Sequence, residues 1–206
     1  MEQNEIKAEA AGMLARLISK PDQGLVLALN SGELSRAVGP HTGMQDEVSA
    51  FLDAGYAFAE LKAMYDEVMG PASARRYLPV ESLFKVWYDD AENTGTSHAV
   101  KGLLMGDPAM HMIELYRQCG IDLPAGFSGP PDHLTLELEF LSILYEKCPD
   151  EMILRFILDH LDWMPELLMK WRELQVSGFY ILAVEAIDAF LRTEISRLCR
   201  NQEVHA

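Results

Sequence analysis

Cysteine is scarce in this chain. Cys119, Cys148 and Cys199 stand far apart and form no C-x-x-C pair, so they read as reduced core or rim thiols in a cytosolic protein. Positive charge is scarce too. Seventeen Lys and Arg face 32 Asp and Glu, a net charge of −15. That argues against a nucleic-acid binder, which needs basic surface to replace counterions. It favours a cationic partner, although solubility is the commoner reason for acidic charge. No apolar run reaches membrane-spanning length and the first residues, Met1 to Glu5, are acidic, so we expect neither a signal peptide nor a transmembrane helix. There is no G-x-x-x-x-G-K-S/T loop, no G-x-G-x-x-G and no G-x-S-x-G elbow, which argues against a standard nucleotide fold and against a serine hydrolase. Period-2 strands, internal repeats and low-complexity tracts are also missing.

What is present is apolar and helical in spacing. Hydrophobic residues make up 49% of the 206 positions, enough for one large domain or two small ones. A chain of this size buries roughly 70% of its unfolded surface, so its core needs no staples. Residues 2–19 predict a helix with Ile6, Ala10, Met13, Leu14 and Leu17 on one face, ended by Pro21. Leu25 to Leu29 fits buried helix or strand, and Asn30 to Glu33 caps a short helix through Val38. Residues 45–69 read as one long helix with Gly55 and Phe58 on its inner face, closed by Gly70-Pro71. Residues 72–96 are the least helical. Phe84, Trp87 and Tyr88 cluster there, followed by Asp89, Asp90 and Glu92. That segment reads either as a core-covering loop with a solvated acidic end or as an aromatic, acid-rimmed recognition surface. Further helices are predicted over 97–104 (weak), 107–119 and 132–148. Another opens at Pro149-Asp150-Glu151, one is capped by Asp162, and a final one opens at Ser177. Most of the 11 methionines read as core filler, a minority as the lining of an adaptable apolar groove.

The stretch Leu115 to Leu144 is the most informative. Glycines and prolines between Gly120 and Pro131 end one helix and permit the next, with Ser128 or Gly129 as N-cap and Asp132 near the helix start, where a carboxylate is favoured. His133 and Glu137, four apart, share a face with Phe140, Leu141 and Leu144, so an acid sits on the apolar side beside a histidine. Two readings stand: an N-terminal cap with a His–Glu pair at the core rim, or a polar cluster beside a cleft.

Four motifs in this region carry a family resemblance. Tyr116-Arg117 and Gly120 followed by Pro130-Pro131-Asp132-His133-Leu134 and Leu136-Glu137-Leu138-Glu139-Phe140-Leu141 is similar to the proline turn, Asp-His pair and L-x-L-E-L-E-F helix of the TorD/DmsD family. Leu78-Pro79-Val80-Glu81-Ser82-Leu83-Phe84 resembles that family's P-Y-E-S-V-Y segment, with Val80 where an aromatic is usual. Leu104-Met105-Gly106-Asp107-Pro108 resembles its M-G-x-P turn, and His160-Leu161-Asp162-Trp163-Met164-Pro165 its H-L-x-W-x-P. Gly129 departs from the pattern, where many relatives carry an acidic residue.

The resemblance implies an all-α fold, one compact domain over residues 1–206 with about ten helices and a hinge at 120–131. It implies a cytoplasmic, non-enzymatic chaperone of the redox enzyme maturation class. The partner would be the twin-arginine signal peptide, or the N-terminal region, of a molybdoenzyme catalytic subunit, with no cofactor or metal of the chaperone's own. We expect a monomer in the main, with a minor dimer that exchanges C-terminal helices. The expected peptide-binding residues are Glu81, Phe84, Trp87, Tyr88, Tyr116, Asp132, His133 and Glu137: carboxylates for the arginines, aromatics for the apolar stretch behind them. Asp132 and His133 would either touch the ligand or only fix the turn. Two other readings remain. One is a helical metal-dependent hydrolase using Asp132, His133, Asp159 and His160, although the Asp-His order is the reverse of that in His-Asp phosphohydrolases. The other is a structural accessory protein without a peptide site.

Overall fold

The computed structural model describes residues 2–70, 78–85, 104–123 and 129–205. The architecture is all-α. Among the described residues there are eleven α-helices and one 3-10 turn, Gly39–His41, and no strand. None of these helices is long and apolar enough to cross a membrane.

The centre is α1 (Glu2–Ile18) packed along α8 (Leu134–Lys147). Ala8, Ala11 and Ala15 of α1 are almost wholly buried, and such small side chains let two helices approach closely. Ser142 of α8 donates to the Ala8 carbonyl at 2.8 Å, a contact that needs this approach. Leu14, Leu17, Leu138 and Leu141, all at 0% exposure, fill the seam. Around the pair lie α2 (Gln23–Asn30), α3 (Glu33–Val38), α4 (Gln45–Leu52) and α5 (Phe58–Met69). After them come the four-residue α6 (Glu81–Phe84), α7 (Asp107–Gln118), α9 (Asp150–His160), α10 (Met164–Glu173) and the long α11 (Gly178–His205). The last packs on α9, α10, α1 and α4. Lys7 of α1 meets Glu194 of α11 at 2.7 Å, and Tyr145 of α8 donates to the same carboxylate at 3.0 Å. One buried acid thus ties three helices.

The structure corrects several helix boundaries. Residues 45–69 are two helices. Gly55 takes a left-handed φ of +83°, and Tyr56 exchanges hydrogen bonds with the Asn30 side chain, N–H to Oδ1 and Nδ2 to the carbonyl, both at 3.0 Å. This pairing holds a turn where the apolar spacing alone continues a helix. Leu25 to Leu29 is helix, capped by Asp22, whose Oδ1 accepts from Leu25 N at 2.7 Å. Asp162 does not cap α10; its carboxylate takes the Lys85 ammonium at 2.7 Å. The aromatic segment with Trp87 and Tyr88, the acids at 89–92, the weak helix expected over 97–104 except for Leu104, and the centre of the proposed hinge, 124–128, lie outside the described residues.

Candidate functional site

Two of the singled-out segments meet. Val80 and His133 form an isolated antiparallel bridge: Glu81 N donates to the Asp132 carbonyl at 3.0 Å, and Leu134 N donates to the Pro79 carbonyl at 2.9 Å. The short α6 starts directly beyond this bridge. Its exposed amides are met from outside, because Asp132 Oδ2 accepts from Ser82 N at 2.8 Å and also from Ser82 Oγ. Asp132 is therefore a cap for α6 and not, as the local sequence suggested, for α8. It is fully buried, and its Oδ1 meets no partner. Burial pushes its carboxyl above the usual range, against the pull of the two Ser82 bonds.

The N-cap of α8 is His133, not Ser128 or Gly129. Its Nδ1 accepts from Thr135 N at 3.2 Å, which requires a neutral ring with the proton on Nε2. Burial holds its pKa down, at about 4. Tyr116 of α7 fastens the same turn by donating to the Pro131 carbonyl at 2.8 Å, with its ring edge-on to Phe140.

One turn along α8, Glu137 points into the protein at 0% exposure. Glu81 is equally buried, and its Oε2 is hydrogen-bonded to His160 Nδ1 at 2.9 Å. Glu81, Glu137 and His160 each bring a donor atom within 4.8 Å of the other two. Burial, then the charges of Glu81 and Asp132, raise the Glu137 carboxyl well above the ordinary carboxylate range. The chain of contacts continues outward: His160 Nε2 lies 2.8 Å from His111 Nδ1, and the two rings stack. Burial, then His160, lower the His111 pKa. Trp163 donates to the His160 carbonyl at 2.8 Å and stacks on Phe84 at 5.4 Å. Lys85 closes the underside, bonded to the Asp159 carbonyl at 2.6 Å and 3.6 Å from Glu81 Oε1.

Beyond His160 and His111 a cavity of about 440 Å³ opens between α7, α8 and α9, floored by Leu115, Phe140, Leu144, Met152 and Phe156 and rimmed by Arg155 and Asp159. A shallower one of about 260 Å³ has His133 on its wall, with Tyr65, Pro130 and Leu136.

Of the eight expected binding residues, six are described, and the structure gathers all six at this junction. Five of them are nearly or wholly buried: Glu81, Asp132 and Glu137 at 0%, Tyr116 at 4% and Phe84 at 6%. Only His133 has appreciable surface. The quartet suggested for a metal hydrolase does not converge. Asp132 holds Ser82, His133 caps α8 and Asp159 faces Arg155 at 3.3 Å. Sequence reasoning missed His111, Ser82 and Lys85. In the sequence His111 reads as one more residue of an amphipathic helix, and its meaning comes from His160, 49 positions on.

The family model described as nitrate reductase delta subunit matches residues 41–170, a span that contains both halves of the junction. The chain belongs to this family. Among curated proteins it is similar to the chaperone protein TorD of Vibrio parahaemolyticus, 28% identical over 109 residues, which is 47% of this chain and 51% of that one. The chaperone protein TorD of Vibrio cholerae is 28% identical over 118 residues, 52% of this chain and 54% of that one. The match thus spans about half the length of the curated relatives. The fold is shared with a putative redox enzyme maturation protein from Archaeoglobus fulgidus, at a TM-score of 0.55 and 22% identity, over 89% of this chain and 91% of that one.

Proposed function

We propose that this protein is a cytoplasmic maturation chaperone without catalytic activity. In this reading it binds the twin-arginine signal peptide, or the N-terminal region, of a molybdenum-cofactor oxidoreductase and holds that client until its cofactor is inserted. The family match over residues 41–170 carries the reading. Physical support comes from the cavity between α7, α8 and α9, whose volume of about 440 Å³ and apolar floor suit the hydrophobic side chains of a leader. The net charge of −15 suits the paired arginines that precede them.

The burial of Glu81, Asp132 and Glu137 divides the work. These three hold the junction, while direct contacts fall to His133, to the cavity and to the segment of Trp87 and Tyr88. The working species is mainly a monomer, with a minor dimer that exchanges helices about residues 120–131.

Calorimetric titration with a synthetic leader peptide tests this. Micromolar or tighter binding of the twin-arginine leader, lost on scrambling, is expected. Leu115→Trp, which narrows the cavity, is expected to weaken that binding by about tenfold, roughly 1.4 kcal/mol. Absence of binding to both the leader and the client's following N-terminal region would overturn the reading. Gel filtration showing only dimer at every concentration would overturn the monomer assignment.

A further inference from the structure

Glu81 and Glu137 lie outside the work just assigned to the cavity and the surface, and His160 joins them to the cavity wall. From their geometry we propose that these three side chains form a binding site for one divalent transition-metal ion of the zinc class, clipping α6, α8 and α9 together.

Three observations carry this. First, the three donor atoms lie within 4.8 Å of one another and come from elements far apart in sequence. The Glu81 Oε2 to His160 Nδ1 separation is 2.9 Å, and two ligands about 2.1 Å from a tetrahedral ion stand roughly 3.4 Å apart, so an opening of about half an ångström admits the ion. Second, the Glu137 side chain is at 0% exposure, and the polar groups its carboxylate faces are a second acid, Glu81, and the Trp163 indole, whose N–H is already given to the His160 carbonyl at 2.8 Å. A polar group in that state calls for a ligand or a proton. Third, the charges match. Lys85 is engaged by Asp162 at 2.7 Å and lies farther, at 3.6 Å, from Glu81. Two carboxylates and a neutral imidazole then balance a dipositive ion.

His111 completes the pattern. A ligating histidine ordinarily donates its second ring N–H to a fixed acceptor, which sets its tautomer. With the metal on Nδ1, His160 carries its proton on Nε2, 2.8 Å from His111 Nδ1. Two carboxylates and one imidazole suit Zn²⁺, Mn²⁺ or Fe²⁺ better than a thiophilic ion, and three protein ligands leave a coordination position open.

The experiment uses untagged, full-length protein, stripped with a chelator and desalted, then titrated with CoCl₂ and afterwards with ZnCl₂. One Co²⁺ per chain with visible ligand-field bands is expected, displaced by Zn²⁺, together with a rise in melting temperature. Glu137→Gln, nearly isosteric and neutral, is expected to weaken Co²⁺ binding more than about a hundred-fold, while far-ultraviolet circular dichroism reports its fold. X-ray absorption of the wild-type zinc complex gives a readout that needs no variant. One imidazole with oxygen ligands and no sulfur is expected. No stoichiometric uptake by the wild type would overturn the site and leave a proton on Glu137 as its neutraliser. Unchanged uptake by a folded Glu137→Gln, or a sulfur shell, would overturn it as well.

Discussion

A buried carboxylate must find donors somewhere, and Asp132 finds them 50 positions back in the chain, at Ser82. Asp132→Asn keeps the shape and removes the charge from a doubly bonded acceptor. It should cost about 1.5–3 kcal/mol of stability, read from urea or thermal unfolding. Leader binding per folded molecule should stay within a factor of a few, because Asp132 has no surface to offer a peptide. A folded Asp132→Asn protein with leader affinity reduced ten- to a hundred-fold would instead make Asp132 a direct contact. His133 gives a prediction in pH. Its folded pKa of about 4 lies below the ordinary 6.5, so the unfolded chain binds the extra proton first as pH falls. The stability due to a neutral His133 is complete above about pH 6.5 and is lost progressively towards pH 4. Glu137 and Asp132 act in the opposite sense: their raised carboxyls stabilise the fold at low pH, and that contribution falls as pH rises above about 4. The comparison must therefore be variant against wild type. His133→Gln should flatten the loss between pH 6.5 and 4 by on the order of 1–2 kcal/mol, and an unchanged pH profile would remove His133 as its cause.

Among the helices, what the sequence revealed depended on where each partner lies. Residues of α1, α7, α8 and α9 carry their own apolar period, so those helices were legible within a residue or two. Glu137 was legible as unusual because it breaks the pattern of its own face. The break at Gly55 was not, since it depends on Asn30, 26 positions away, closing on Tyr56. Nor was the Asp132 cap, because a carboxylate next to a helix start looks local when its true partner is α6. The convergence of Glu81, Glu137 and His160 has no sequence signature at all, being made by packing. The seam between α1 and α8 lends itself to a paired test. A Cβ on Gly12 would meet only Ser142 Oγ, at 3.8 Å, an ordinary contact. Gly12→Ala should therefore stabilise the protein by about 0.5–1 kcal/mol through helix propensity. Ala11→Leu at 0% exposure should destabilise it by roughly 1–3 kcal/mol through overpacking. Thermal melts of both decide it; two changes of the same sign would mean that the seam is not close-packed as described.

At the scale of the whole molecule, charge is the dominant feature: −15 spread over 206 residues. Several cations are already engaged by acids of their own, Arg172 with Glu185, Arg192 with Asp188 and Arg197 with Glu194. The surplus of carboxylates therefore projects a negative field. A leader with two arginines would be steered by that field before its apolar stretch reaches the cavity between α7, α8 and α9. Steering acts through water and is screened over about 10 Å at 0.1 M salt. Apolar burial is not screened and is slightly strengthened by some salts. The association rate of a twin-arginine leader should thus fall several-fold between about 20 and 300 mM NaCl, where the Debye length shrinks severalfold, while its dissociation rate changes little. A leader with both arginines replaced by lysine should keep that salt dependence, because the field reads charge and not the guanidinium fork. One with both replaced by glutamine should lose most of it. Stopped-flow fluorescence on the three peptides separates the cases. A salt-independent association rate for the arginine leader would mean that the acidic surface serves solubility alone and that recognition rests on the cavity and its surroundings.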